Sequence, residues 1–147
     1  MRKIALSCIL MFTICSVAYA GPKEEALTVV EKWSNAFAAA DVDGIVKLYA
    51  PDALFFGTGS KTLVTEPAGI RQYFEKAMLT DRPRTATLQE PSVAVLSKRI
   101  AVVTGLDKIT GVKDGKTYTL NGRVTFVIAK RGSAWQIVHF HRSAIPN

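Results

Sequence analysis

Apolar residues recur every three or four positions over residues 24–40, EEALTVVEKWSNAFAAA, placing Leu27, Val30, Trp33 and Phe37 on one stripe. That period predicts an amphipathic helix, and the acidic pair Glu24 and Glu25 suits the positive end of its dipole. Asp41 opens a second helical stripe, DVDGIVKLYA, carried by Val42, Ile45, Leu48 and Tyr49 and stopped by Pro51. ALFFGTG reads as a short strand ending at glycines. A third helix is expected over TEPAGIRQYFEKAML, with Thr65 as its cap, Pro67 in its first turn, and Ile70, Tyr73, Phe74 and Ala77 on its buried face. From Arg84 onward the period falls to two. Strands are expected at about 84–90, 92–96, 99–111, 116–131 and 134–143, with hairpin turns at KDG (113–115) and KRGSA (130–134). Helices first and antiparallel strands after predict an α+β domain, with the helices packed on one face of a curved sheet.

The start of the chain changes the picture. MRKIALSCILMFTICSVAYA has a basic head (Arg2, Lys3), an apolar run over 4–17 and a small-residue end, Ala18-Tyr19-Ala20. This predicts a secretory signal over residues 1–20, export to a periplasm or beyond, and one mature domain over 21–147. The apolar run is too short for a membrane span. Cys8 and Cys15 both lie in this leader, so the mature chain carries no disulfide, thiol nucleophile or cysteine metal site. Losing Arg2 and Lys3 lowers the formal charge of +7 by two. The remaining cations are scattered rather than gathered into a basic stripe, which argues against nucleic acid. No membrane partner is expected after cleavage, and the mild positive excess favours anionic small molecules or an anionic envelope surface.

Two stretches carry a resemblance. AFAAADVDGIVKLYAPDALFFGTG, followed by AGIRQYF, resembles the helix–helix–strand–helix opening of the NTF2-like (SnoaL/ketosteroid-isomerase-like) superfamily. GRVTFVIAKRGSAWQIVHFHRSAIP resembles the ending of the calcium/calmodulin-dependent protein kinase II association domain and its bacterial stand-alone relatives. The resemblance implies an NTF2-like cone: a strongly curved antiparallel or mixed sheet, with three N-terminal helices enclosing a pocket. It also implies dimers or higher rings formed through the outer sheet face. It does not imply one activity, because this superfamily grafts many functions on one fold.

Ketosteroid isomerases of this superfamily use a carboxylate base on the first strand and a hydrogen-bonding tyrosine on the first helix. Counting from DGIV, those places fall on Gly57 and Trp33. Glycine takes no proton and indole is a poor acid, so this chemistry is not expected. Asp107, in the strand TGLDKIT, is the remaining weak catalytic candidate; it reads equally as the partner of a cation or as an outward side chain. No serine is placed as a nucleophile.

Strand alternation puts Trp135, Ile137, His139, His141 and Ser143 on one face, and Gln136, Val138, Phe140 and Arg142 on the other. The resemblance implies that Arg142 points into the pocket, and that Arg123 does so as well. Trp135, Ile137, His139 and His141 would then face an oligomer interface. The two histidines could share a metal only with a third protein ligand, so no metal or other cofactor is expected. A buried guanidinium needs a partner. Arg142 and Arg123 therefore read either as a carboxylate or phosphate clamp, or as ion pairs with carboxylates such as Asp107 or Glu90. Phe140, Trp33, Tyr49, Phe56, Tyr73, Phe74 and Tyr118 would form an aromatic wall or simply core. Three functions remain open: an exported homo-oligomeric domain binding a small anion without catalysis; an isomerase, dehydratase or cyclase acting on a small carboxylate-bearing substrate; or a protein-docking module of the cell envelope.

Overall fold

The computed structural model describes residues 20–146, so the expected leader, apart from Ala20, lies outside the described residues. Helix α1 spans Pro22–Ala39, with Pro22 in the first turn, where its missing N–H costs nothing. It ends at Ala40 in the left-handed region (φ 54°), whose N–H returns to the α1 carbonyls. Asp41 then caps α2 by accepting from the Gly44 N–H at 2.8 Å. Helix α2 covers only Val42–Val46, shorter than its stripe suggests, because the chain is already extended in β1 at Tyr49–Phe56. Pro51 is tolerated there because β1 is an edge strand. Helix α3, Pro67–Met78, begins after Glu66 with no side-chain cap, so the expected Thr65 cap is not formed. It buries Ile70, Phe74 and Met78, while Tyr73 and Ala77 stay half-buried.

The strands β2 (Thr85–Ser97), β3 (Ile100–Lys113), β4 (Lys116–Arg131) and β5 (Ala134–Ala144) complete a five-stranded sheet ordered β1-β5-β4-β3-β2. β1 runs parallel to β5 and the other neighbours are antiparallel. The two short strands expected before residue 97 are one strand. Its register slips between Gln89 and Ser92, where Glu90 takes a positive φ of 41° ahead of Pro91.

The helices cover one sheet face, and an aromatic core fills the space beneath them. Trp33 stacks on Phe37 and Phe140, both at 5.5 Å, and meets Phe126 edge-on at 5.4 Å. Its indole N–H donates to the Tyr49 hydroxyl at 2.9 Å, satisfying two buried polar groups at once. A bulge lies between β4 and β5: Val127 pairs with His139 but Ile128 pairs with Ile137, so Val138 is the extra residue. The bulge changes the parity of β5. Ile137, Phe140 and Arg142 all reach the core, although Ile137 and Phe140 lie an odd number of residues apart.

Candidate functional site

Asp107 on β3 and Arg142 on β5 are 4 % and 5 % exposed, the only buried charged or polar residues among those described. Arg142 Nε donates to Asp107 Oδ2 at 2.6 Å, Nη1 to Thr58 Oγ1 at 2.8 Å and Nη2 to the Leu120 carbonyl at 3.2 Å. The Thr58 hydroxyl in turn donates to the Arg142 carbonyl at 3.2 Å, tying the loop after β1 to β5. Gly122 lies between the two charged groups in the sheet. A Cβ there would come within 2.5 Å of both Arg142 Nη2 and Asp107 Oδ1, so the ion pair occupies the space a side chain would take. Asp107 Oδ1 is buried without a partner.

Arg142 reaches the wall of a cavity of about 340 Å³, lined also by Thr58, Gly59, Tyr73, Lys76, Arg84 and Leu120. Three cations, Lys76, Arg84 and Arg142, line it, and no carboxylate does. Asp107 behind the wall balances only Arg142. Arg84 Nη1 donates to the Ala77 carbonyl at the end of α3, and its guanidinium sits 5.9 Å from the centre of the Phe37 ring. Its Nε is buried and unpartnered. Burial pushes the Tyr73 phenol up from its ordinary pKa, opposed by the backbone of Gly59 and Thr58 and by the charges of Arg142 and Arg84. Tyr73 occupies the space over Gly57, where a Cβ would overlap its ring. The place of the isomerase base is therefore filled by a tyrosine from α3.

Several expected site residues lie elsewhere. Trp33, Tyr49 and Phe140 are core residues rather than a pocket wall. Phe56 turns to the outer sheet face, where its ring meets His141 at 5.8 Å; its neighbour Phe55 takes the inner position. Tyr118 is half-buried near the β3–β4 hairpin and donates to Asp81 Oδ2 at 3.2 Å, outside the cavity lining. Arg123 is exposed on the outer face, because its neighbours Gly122 and Val124 point inward. Arg84 and Lys76 supply the cationic wall instead. Lys76 follows Tyr73 by three residues on α3, a spacing that shares a helix face and was legible in the sequence. No comparable signal marks Arg84.

The bulge also divides the expected interface. Ile137 is fully buried and Trp135 packs against the core, whereas His139 and His141 remain on the outer face. Among the described residues, no third potential ligand joins the histidines. Burial, and then the nearby His141, hold the His139 imidazole below its ordinary pKa. Leu54, Phe56, Val102 and Val127 are exposed or half-buried, and give the outer face an apolar character.

Comparisons with known proteins bear on this arrangement. The SnoaL-like domain profile matches residues 26–147. The calcium/calmodulin-dependent protein kinase type II alpha chain of Drosophila melanogaster is 26 % identical over 125 residues, which cover 83 % of this chain and 24 % of that protein. The chain thus spans about a quarter of that kinase's length. A solved candidate calcium/calmodulin-dependent protein kinase II association domain from Xanthomonas campestris is 26 % identical, with a TM-score of 0.79 over 95 % of this chain and 99 % of that one. A solved candidate scytalone dehydratase from Novosphingobium aromaticivorans shares the fold at a TM-score of 0.74 and 11 % identity, covering 83 % of each chain.

Proposed function

Because the chain belongs to the SnoaL-like domain family, we propose that it is an exported, homo-oligomeric binding domain whose cavity beside Arg142 holds a small organic anion. The observation that carries this reading is the cavity's charge: Lys76, Arg84 and Arg142 line it without a carboxylate. Its volume of about 340 Å³ lies at the lower end for small-molecule pockets. Ala77, Ile109 and Leu120 supply an apolar side for the ligand body. A carboxylate or phosphate would lie against Arg84 and Lys76, with the outer guanidinium edge of Arg142 and the hydroxyls of Thr58 and Tyr73 within the same wall. Calorimetric titration with benzoate, short aliphatic carboxylates and inorganic phosphate tests this. At least one should bind, and Arg84→Gln should weaken it at least tenfold. Equal affinity in wild type and Arg84→Gln would remove the assignment.

Self-association is supported by the apolar outer face and by the association domain named in the Xanthomonas relative. Val127→Glu should lower the mass measured by light scattering. The basic, apolar leader and its Ala18-Tyr19-Ala20 ending support export, and N-terminal sequencing of the exported fraction should begin at Gly21.

One observation favours a second, enzymatic reading. The unpartnered Asp107 Oδ1 belongs to a carboxylate lining a void of about 10 Å³ beside Trp33 and Ser34, room for about one water. In a dehydratase-type reaction the substrate, its carboxylate on the cationic wall, would have to extend past Arg142 to Asp107, which would take a proton from carbon and pass it to the departing hydroxyl, released as water. Turnover of a small hydroxy acid that Asp107→Asn abolishes would favour this reading over simple binding.

A further inference from the structure

Away from the cavity, two hairpin tips meet at one end of the sheet. The β2–β3 turn joins Ser97 to Ile100, and the β4–β5 turn joins Arg131 to Ala134. Arg99 and Lys130 clasp the tips: the Lys130 N–H donates to the Arg99 carbonyl and Arg99 Nη2 to the Lys130 carbonyl, both at 2.8 Å. Leu96 and Ile100 project here, 64 and 38 % exposed, while Val95 shares the opposite sheet face with its partner Ala101. Around them stand Lys98, Arg99, Lys130 and Arg131. Residues 92–102 and 127–138 include no aspartate or glutamate. Among the described residues, the carboxylate paired with this cluster is Asp52, 3.1 Å from Arg131 Nη2.

Two apolar side chains, Leu96 and Ile100, held outward beside four cations form an amphipathic tip. We propose that this tip docks the protein on an anionic lipid surface, its apolar residues at the headgroup–acyl boundary and its cations among the phosphates. Charge complementarity selects this occupant. A two-fold contact between copies through the same tip would set the four cations against their own equivalents, a repulsive arrangement. The sequence alone shows these cations as scattered, because Lys98–Arg99 and Lys130–Arg131 come together only when the two hairpins align. The proposal does not depend on the cavity.

Sedimentation of the purified full chain with phosphatidylcholine vesicles, with and without phosphatidylglycerol, tests it. Any retained leader, apolar with a basic head, would bind both vesicle types and favour the anionic one, so the loss on Lys98→Gln and Lys130→Gln is the readout. Binding should be stronger with the anionic lipid and weaken with added salt. Lys98→Gln and Lys130→Gln should each weaken it about fivefold, and Leu96→Ser should weaken it further. Lys113→Gln, at the opposite end of β3, should leave it unchanged. Equal binding to both vesicle types, or no loss in Lys98→Gln and Lys130→Gln, would overturn the proposal. So would a fall in oligomer mass on Leu96→Ser with vesicle binding intact, which would make the tip a subunit contact.

Discussion

Removing the Asp107 carboxylate should destabilise the fold more than removing both members of the ion pair. Arg142 is 5 % exposed, and Asp107 is its anionic partner, at 2.6 Å. In Asp107→Leu the guanidinium keeps two neutral acceptors, Thr58 Oγ1 and the Leu120 carbonyl. Breaking a buried pair from one side costs about 3–5 kcal/mol, whereas replacing both ions with apolar groups is often neutral or stabilising. Because Arg142 borders a cavity of about 340 Å³, water can reach its outer edge, and the lower end of that range applies. The expected loss is about 3 kcal/mol for Asp107→Leu and less than about 1 kcal/mol for Asp107→Leu with Arg142→Met. Against an ordinary domain stability of about 5–15 kcal/mol, the single loss is large. Urea unfolding followed by the fluorescence of buried Trp33 gives all corners of the double-mutant cycle. Single substitutions costing under about 1 kcal/mol, or a double variant as unstable as the sum of the singles, would refute the reasoning. The same release of Arg142 should make Asp107→Asn bind anions more tightly than wild type.

Gly122→Ala should cost about 1–3 kcal/mol in the same unfolding assay, because its Cβ would press on both ion-pair partners. Arg123→Ala should leave anion affinity unchanged, since Arg123 is exposed on the outer face; a tenfold loss by calorimetry would return it to the pocket. Folded His139 resists protonation through burial and through His141, while unfolded histidine titrates near about pH 6.5. Below that pH the unfolded chain binds more protons, so His139 should lower stability as pH falls. A backbone hydrogen bond with Leu54 opposes the shift in part. Thermal unfolding between pH 7.5 and 5 should show a fall that His139→Asn reduces, and an unchanged pH profile in that variant would contradict the assignment.

Much of the fold is written in its periods. The spacing of Val30, Trp33 and Phe37 marks the buried face of α1, and the alternation after residue 84 marks the antiparallel strands. Arg142 lines the cavity. The illegible features depend on parity and on approach through space. Strict alternation along β5 puts Ile137 outside, and the bulge at Val138 moves it inside. Phe55 and Phe56 are adjacent and chemically alike, and only pairing with β5 decides that Phe55 faces inward. The resemblance implies an inward Arg123, but Gly122 occupies the inner position and makes room for the ion pair. Arg84 enters the cavity because the start of β2 passes the end of α3, a proximity no local pattern encodes.

The central claim is that this cationic cavity holds a small organic anion. Native mass spectrometry of the protein purified from the exported fraction, beside Arg84→Gln, tests it most directly. The account predicts an oligomer carrying an organic anion in the wild type and the same oligomer without that mass in Arg84→Gln. A wild-type oligomer with no bound mass, and none gained with benzoate, short carboxylates or phosphate, would contradict it.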